Sequence, residues 1–277
     1  IRIMSAMIFD LHTHTNVSDG SLTPSELIAH AQQLGVDVLS ITDHDTLGAY
    51  DQLPESPGVE LITGLELSTT WAGRGIHIVG LNVDRNNPAL LAGIRQQKEA
   101  RFQRAGVIAH KLTRIGIPSP LAAVTAMAGD AGIGRPHFAQ HLVDIGAVKD
   151  LRAAFKKYLG AGKPGDVKDG WASLEDVTGW IVAAGGIAVL AHPVKYKMTT
   201  SKLRLMLNDF VAAGGRSIEV ISGSQQPDVT RRMIAIADEF ELAASCGSDF
   251  HTPENAWSQP GRFTPLPEQL PKVWDQW

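Results

Sequence analysis

The stretch FDLHTHTNVSDG, residues 9–20, ends a short run typical of a β-strand with two histidines and then an Asp-Gly turn. Side chains on a strand alternate between its two faces, so His12 and His14 point the same way and can reach one metal ion. By itself, such a pair is more often a partly exposed strand end than a metal site. The rest of the chain has to decide between the two interpretations.

Short β-branched runs alternate with helical patterns on both sides of a long helical region. Strand patterns such as VDVLSIT and IAVLAHP alternate with helices over residues 1–87 and 161–277, and VELITGLELS and GIHIVGLNV predict a hairpin across WAGRG. Residues 88–160 show only helical periodicity. We therefore predict an α/β fold in which 1–87 and 161–277 form a parallel β/α barrel and 88–160 form a helical insertion that caps the substrate site.

The composition argues against several classes of protein. The chain has 277 residues, a formal net charge of −4 and 44% hydrophobic residues, which is ordinary for a globular protein with a sizeable core. Proteins that bind duplex DNA usually carry a basic face, so we expect no such partner. The longest apolar run, WIVAAGGIAVLA, is too short to span a bilayer, so we expect no membrane partner. The single Cys246 suits the reducing cytoplasm, and we assign it to the core.

Residues that could carry chemistry recur where the predicted strands end. In a β/α barrel the carboxyl ends of the strands converge on one rim, which holds the active site. Asp249 and His251 repeat the spacing of His12 and His14. The residues collected in this way are His12, His14, Asp43, His44, Glu66, His77, His192, Asp249 and His251. Imidazole and carboxylate donors without thiolate favour Zn, Mn or Fe over a structural Cys-zinc site.

The series DLHTHTNVSDG, ITDHD, TGLELS, HIVG, LAHP and GSDFH, in this order over the whole chain, resembles the polymerase and histidinol phosphatase (PHP) superfamily of metal-dependent phosphoesterases. The resemblance implies a distorted (β/α)7 barrel of PHP type that holds two or three divalent ions at its rim. We favour Mn for these ions, with Zn or Fe as alternatives. The catalytic residues that the resemblance implies are His12, His14, Glu66, His192 and Asp249.

The resemblance also implies three sets of metal ligands. The first ion would be held by His12, His14, Glu66 and Asp249. Glu66 would bridge to a second ion bound by His77 and His192. A third ion would take Asp19, His44 and His251, and Asp19 stands where some relatives have histidine.

A second motif lies in the helical insertion. GIGRPHFAQHLVD places Arg135 and His137 at the start of a helix, where free backbone N–H groups and an arginine fork favour an anion. An arginine that is only solvated is the alternative interpretation. The motif resembles the GRPH of the subfamily that acts on nucleoside bisphosphates and very short oligonucleotides, which implies contact with a substrate phosphate. Weaker candidates for substrate contact are Lys163, Ser222 and Ser224.

Clustered divalent ions suit phosphate ester hydrolysis, because they bind phosphoryl oxygens and lower the pKa of a bound water. With a second phosphate on Arg135, we predict a phosphatase that removes the 3′-phosphate of nucleoside 3′,5′-bisphosphates and leaves a 5′-mononucleotide. A 5′-3′ exonuclease on short oligonucleotides and a non-catalytic metal-binding module are the alternatives. The sequence has no basic and aromatic stripe that favours the first, and its complete ligand series argues against the second. The expected partner is a small nucleotide.

Overall fold

The computed structural model describes residues 7–118, 120–129, 132–167 and 170–277. Within these residues the chain forms a mixed α/β fold, as predicted. The strands are β1 (Phe9–Thr13), β2 (Val38–Ile41), β3 (Glu60–Leu61), β4 (Gly64–Trp71), β5 (Arg74–Leu81), β6 (Ile187–Leu190), β7 (Ser217–Ser222) and β8 (Ala243–Gly247).

The helices fall into two groups along the chain. Helices of the β/α part are α1 (Pro24–Gln33), α6 (Leu174–Ala183), α7 (Thr200–Ala212) and α8 (Pro227–Glu239). Helices of the insertion are α2 (Pro88–Arg114), α3 (Leu121–Ala128), α4 (Arg135–Asp144) and α5 (Leu151–Ala154), which continues as a π-helical turn over Phe155–Leu159. None of the helices in the described ranges combines the length and the apolar character that crossing a membrane requires.

The strands form two sheets rather than one closed barrel. In the first sheet the order is β1-β2-β3, and all pairs are parallel. In the second the order is β4-β5-β6-β7-β8, with antiparallel pairing on both sides of β5 and parallel pairing from β6 to β8. Single bridges between Thr13 and Phe250 and between His44 and Glu66 join the sheets at their edges.

This arrangement differs from the predicted (β/α)7 barrel. Within the described residues there are eight strands, and the sheets meet only through isolated bridges, so a continuous closed barrel is not found. Pairing between the sheets is limited to a few backbone hydrogen bonds at the strand ends, such as Asp249 N–H to the carbonyl of His12 and Glu66 N–H to the carbonyl of Asp43. His14 follows β1 directly, and His44 follows β2 by three residues.

The hairpin predicted across WAGRG is confirmed as β4 and β5. Ala72 and Gly73 form its two-residue turn, and both have positive φ, the backbone that a type I′ turn requires. In the register, Ser68 lies opposite His77, so Glu66 and His77 are diagonal neighbours on one face. These two residues therefore lie within strands, not at strand ends as the sequence rule assumed.

Helix α1 begins at a side-chain cap that the sequence identifies. Thr23 caps its first turn, accepting from the backbone N–H of Glu26 while Glu26 accepts from the N–H of Thr23.

Helices α1, α6, α7 and α8 bury their apolar faces against the sheets in one large core that includes Leu27, Ile181 and Phe210. This core is separate from the polar end of the strands.

The insertion has its own hydrophobic cluster. Phe138, Leu142 and Leu112 are fully buried in it, and the cluster continues past α5 to Leu159 and Val167. The first turns of α2 instead pack on the large core, where the side chain of Trp180 would overlap any Cβ added to Gly93. Helix α2 therefore runs from the β/α part into the insertion.

Candidate metal centre and arginine cavity

The nine predicted ligands meet at one end of the strands. His12 lies in β1, and Asp249 and His192 each follow a strand of the second sheet by two residues. At this end β1 and β8 approach so closely that a Cβ on Gly247 would overlap the side chain of His12, so only glycine fits there. The same approach brings the first and last predicted pairs of ligands together, although they are more than 230 positions apart in the sequence.

The first predicted set converges tightly. His12 Nε2 lies 3.1 Å from His14 Nε2, and each lies 3.3 Å from Glu66 Oε2. Asp249 Oδ1 is 3.6 Å from His12 Nε2 and 3.3 Å from His14 Nε2. The donor atoms of His12, His14 and Glu66 all lie within 4.8 Å of one another and can contact a single cation, and Asp249 adjoins this group through the two imidazoles. His12 and His14 are fully buried, so these contacts are shielded from bulk water.

The second set centres on the other oxygen of Glu66. Glu66 Oε1 lies 2.9 Å from His77 Nδ1 and 2.9 Å from His192 Nε2. Because its two oxygens face different groups of histidines, Glu66 has the geometry of a bridging ligand. The backbone of His192 is left-handed, with φ of 30°, which is unusual for histidine and is typical of strained residues at functional sites.

The third set is less separate than the resemblance implies. Asp19 lies 3.4 Å from His251 Nε2 and 3.7 Å from His44 Nε2. His14 Nδ1 is also 3.7 Å from Asp19, and His44 Nδ1 is 3.1 Å from Glu66 Oε2. His14 and His44 thus each stand between two predicted sites.

The donor atoms fit divalent ions. Among the described residues, three overlapping groups bring His, Asp or Glu donor atoms within 4.8 Å of one another. Glu66 Oε2 and His14 Nδ1 are buried without a hydrogen-bond partner within the described part of the chain, which is costly unless a cation or water satisfies them. Nitrogen and oxygen donors without sulfur suit Mn, Fe or Zn.

Glu219, in the middle of β7, belongs to the candidate site and was missed by the sequence analysis. It accepts a hydrogen bond from His12 Nδ1, and its second oxygen accepts the backbone N–H of His192 at 2.6 Å. His251 Nδ1 similarly donates to the carbonyl of Asp249 at 3.0 Å. Such contacts orient a ligating imidazole and leave its other nitrogen for the metal. A single acid in the apolar run SIEVIS was the available signal.

Burial and charge set the protonation of the ligands. Burial acts to lower the pKa of His12, but Glu219 and Glu66 outweigh burial and raise it to about 10. Burial lowers the pKa of His192 to about 4, against the opposing effect of Glu66. Burial would raise the pKa of Glu66, but the surrounding imidazoles hold it well below its usual range. Glu66 is thus ionised and His192 neutral, as ligands must be, whereas His12 has to lose a proton.

A cavity of about 390 Å³ opens beside these ligands. Its lining includes His44, His77 and His192 from the β/α part. It also includes Arg101 and Arg104 from α2 and Arg135 from the start of α4. The cavity therefore lies between the candidate metal centre and the helical insertion.

The three arginines crowd positive charge into this cavity. The guanidinium carbons of Arg101 and Arg104 lie 5.2 and 5.4 Å from the ring of Trp171, and Arg104 Nε donates to the carbonyl of Val167 at 2.7 Å. Burial, followed by the nearby charges of Arg135 and Arg101, lowers the pKa of Arg104 to about 9. Asp45 and Asp166 offset part of this charge, and three arginines in one cavity are typical of a site for an anion.

Arg101 is held in place by Asp45, the residue after His44. Its Nε lies 2.5 Å from Asp45 Oδ2, and its Nη2 donates to Ser68 Oγ at 3.1 Å. Gln97, one turn earlier in α2, donates to Asp45 Oδ1 at 3.1 Å. This buried network fastens the insertion helix to the segment that carries His44.

The predicted substrate contacts differ in their positions. Arg135 lines the cavity, and its Nη1 reaches the carbonyl of Leu159 at 3.5 Å. His137 accepts the backbone N–H of Gly134 through Nδ1 at 2.9 Å and is not among the lining residues. The three weaker candidates, Lys163, Ser222 and Ser224, also lie outside the cavity lining.

Two further lining residues come from the segment after LAHP. Lys195 pairs with Asp249, and its side chain is half exposed. Tyr196 accepts the backbone N–H of His77 through its hydroxyl at 2.9 Å and packs edge-on against the ring of His192 at 5.5 Å. Neither residue stands at the end of a strand, so a search of the predicted strand ends does not identify them. Cys246, in contrast, is buried as predicted.

Comparison with known proteins assigns the chain to a family. The family model described as PHP domain matches residues 10–110. The chain is 43% identical to a 5′-3′ exoribonuclease of Haemophilus influenzae, over 97% of this chain and 98% of that protein. It is also 43% identical to a 3′,5′-nucleoside bisphosphate phosphatase of Chromobacterium violaceum, over 96% and 94%. An amidohydrolase from Chromobacterium violaceum, solved with bound sulfate and no metal, matches with a TM-score of 0.90 and 42% identity, over 97% of this chain and 95% of that chain. These matches confirm the resemblance seen in the sequence: the chain belongs to the PHP family.

Proposed function

We propose that this protein is a metal-dependent phosphatase that removes the 3′-phosphate from nucleoside 3′,5′-bisphosphates. The observation that carries the proposal is one cavity lined both by candidate metal ligands and by Arg101, Arg104 and Arg135. Such a cavity suits a substrate with two phosphates, one at each group. The relative from Chromobacterium violaceum named as a 3′,5′-nucleoside bisphosphate phosphatase supports this assignment.

The candidate metal centre would hold two or three divalent ions, and we favour Mn, with Zn or Fe as alternatives. Such ions would lower the pKa of a bound water and neutralise charge on the phosphoryl oxygens. Glu66 would be the shared ligand, because its two oxygens face different histidines. Glu219 would keep the imidazole of His12 oriented toward Glu66 and Asp249.

The insertion would bind the phosphate that is not cleaved. Arg135 begins the ten-residue helix α4, so its guanidinium and the free N–H groups of the first turn could approach the same anion. Arg104 adds a second cation, and Asp45 keeps Arg101 in place at the wall of the cavity. In this proposal residues 88–160 form the substrate cap, and the hydrophobic cluster that reaches Val167 supports a cap that ends slightly later.

The proposed reaction is hydrolysis of the 3′-phosphate ester. The oxygen of water bonds to phosphorus, the bond between phosphorus and O3′ breaks, and O3′ takes a proton. The products are a 5′-mononucleotide and inorganic phosphate. His12, His14, Glu66, His192 and Asp249 would act through the ions that they hold.

A 5′-3′ exonuclease on short oligonucleotides is the second candidate function. The relative from Haemophilus influenzae, named as a 5′-3′ exoribonuclease, favours it. Breaking the same bond in a diester would release a 5′-mononucleotide and leave the shortened strand with a new 5′-phosphate. The two functions differ only in what is attached to the cleaved phosphate.

A substrate panel tests the proposal. Product release would be measured with the Mn-loaded protein on a nucleoside 3′,5′-bisphosphate, a 3′-mononucleotide, a 5′-mononucleotide, histidinol phosphate and a 5′-phosphorylated tri-ribonucleotide. We expect the highest kcat/KM on the bisphosphate and 5′-mononucleotide as its product. A preference for histidinol phosphate, or equal rates on all monoesters, would contradict the role given to the arginines.

A further inference from the structure

Trp257 is the most exposed of the large hydrophobic residues in the described part of the chain. Its side chain is 75% exposed, whereas tryptophan is usually largely buried. It lies six residues after His251, in the loop that follows β8. The carbonyls of Trp257 and of Ser248, the residue before Asp249, lie 3.3 and 3.1 Å from the Cβ position of Gly223, so this loop borders the end of β8. An exposed aromatic ring in such a place can stack on a ligand.

The loop that presents Trp257 is held by a set of hydrogen bonds. The carbonyl of Trp257 accepts the N–H of Ser224 at 3.0 Å, and its own N–H donates to Asn255 Oδ1 at 3.2 Å. Gln259 donates through Nε2 to the carbonyls of Asn255 and Pro253 at 2.8 and 3.0 Å. The backbone under the ring is therefore fixed, which lowers the entropic cost of binding a partner.

Trp257 stands outside the arginine cavity. Every residue that lines the cavity lies between positions 19 and 196, so the loops after β7 and β8 do not contribute to it. Lys195 is at the boundary, because it lines the cavity and also pairs with Asp249 at the end of β8. The N–H of Gly223 donates to the carbonyl of Gly247 at 2.7 Å, and the N–H of Ser224 donates to the carbonyl of Trp257, so the loop of Trp257 lies beside the end of β8, next to the segment that carries Asp249.

The chemistry of a diester places its second nucleotide on that side. If the 5′-terminal nucleotide fills the cavity, with its 5′-phosphate on the arginines and its 3′-phosphate at the metal ligands, the next nucleoside is attached to that 3′-phosphate. It cannot share the cavity and has to continue beyond the metal ligands. Bases without sequence constraint bind best to an exposed aromatic face.

We propose that Trp257 is the stacking platform for the base that follows the cleaved linkage in a short oligonucleotide. This inference rests on the proposed function and adds a residue that determines specificity for strands over bisphosphates. A nucleoside 3′,5′-bisphosphate has no second base and makes no use of the platform. Exposed Ser224, whose N–H holds the Trp257 carbonyl, then borders this downstream position.

The experiment compares kcat/KM of Trp257→Ala, Trp257→Phe and Trp277→Ala on two substrates, a nucleoside 3′,5′-bisphosphate and a 5′-phosphorylated tri-ribonucleotide. Trp277 is a matched control, because it is a partly exposed tryptophan that follows the turn packed near the start of β8, away from the ligands. We expect Trp257→Ala to lower kcat/KM on the trinucleotide about tenfold, mainly through KM, as loss of one stacked base does. Activity on the bisphosphate should stay within about twofold, and Trp257→Phe should restore most of the loss.

A trinucleotide with an abasic second position separates stacking from other effects. With the wild-type protein, kcat/KM on the abasic trinucleotide should be about tenfold lower than on the intact trinucleotide. Trp257→Ala should cause no further loss on the abasic substrate. Equal losses on both substrates would show that the variant only disturbs the loop of Asp249 and His251, and unchanged rates on both would remove Trp257 from binding. A wild type that cleaves the bisphosphate but not the trinucleotide would overturn this inference alone. A wild type that cleaves neither would overturn the proposed function with it.

Discussion

Glu219 accepts a buried hydrogen bond from Nδ1 of His12, and this contact turns Nε2 of the same imidazole toward Glu66 and Asp249. The second oxygen of Glu219 holds the backbone of His192. One carboxylate in β7 thus contacts two predicted ligands, His12 in β1 and His192 just after β6. Its own oxygens contact no other predicted ligand, so it acts through the imidazole and the backbone that it positions.

We predict that Glu219→Gln weakens binding of Mn by about 10- to 100-fold while the fold is kept. The amide can accept from His12, but its NH2 group then faces the N–H of His192, and one contact is lost. Metal titration of the purified protein by calorimetry would measure the change. Glu239→Gln, at an exposed ion pair with Arg204, is the matched control and should bind Mn as the wild type does. Unchanged affinity in Glu219→Gln would contradict the role of this contact.

His192→Ala and Asp249→Asn should each remove most phosphatase activity, by about a hundredfold or more, without unfolding the protein. The large hydrophobic core and the cluster of the insertion are built from other side chains, so we expect the fold to persist in both variants. Circular dichroism and the urea midpoint would check the fold, and single-turnover assays would check activity. Unfolding at room temperature would show that the ligands also support the scaffold.

Arg135→Ala should lower kcat/KM on a nucleoside 3′,5′-bisphosphate severely, because a charge-assisted contact in a partly desolvated site is worth about 2–5 kcal/mol, on the order of a hundredfold. The same variant should change kcat/KM on a 3′-mononucleotide by less than about twofold. Both substrates present the same ester to the same ligands, so the comparison cancels damage to the metal centre. Exposed Arg114, at the end of α2, gives a control variant. Equal losses on both substrates would move Arg135 to the cleaved phosphate.

Asp45→Asn should lower the free energy of unfolding by about 3 kcal/mol, because it leaves the buried guanidinium of Arg101 without its carboxylate. Asparagine tolerates the left-handed backbone of this position, where φ is 54°, so the change tests charge rather than backbone strain. The control is Asp51→Asn, which breaks the exposed pair with Arg85 and should cost less than about 1 kcal/mol. Urea denaturation of both variants provides the measurement.

The difference in the free energy of unfolding between the wild type and Asp45→Asn should depend on pH. Burial acts to raise the pKa of Asp45, but Arg101, His44 and the backbone N–H of Ser68 together outweigh burial and hold it below the usual value of 3.8. A carboxyl group whose pKa is lower in the folded state than in the unfolded state stabilises the protein at pH values above its unfolded-state pKa. This stabilisation is lost as the pH falls through the folded-state pKa. The free energies of unfolding of the wild type and of Asp45→Asn should therefore differ by the full amount at neutral pH and become equal only in strong acid. Convergence at pH 6 would contradict the buried ion pair.

The sequence by itself determined which donor groups the site contains. The period of two along a strand made His12 and His14 neighbours, and the Thr23 cap and the hairpin turn were equally local. Arg135 was identified because a motif and a helix start coincide in a few residues. Each of these features depends on residues close together in the chain, which is why a pattern could predict it.

Only the tertiary structure decided how those groups combine. His14 and His44 stand between two predicted ion sites, and Glu219 supports two ligands, because separate strands pack at specific distances that no local pattern contains. Arg101 and Arg104 look like an ordinary solvated helix face in the sequence, yet α2 packs across the β/α part and turns them into the cavity. The limited pairing between the two sheets has the same origin, because contacts between distant strands depend on how the strands pack in three dimensions.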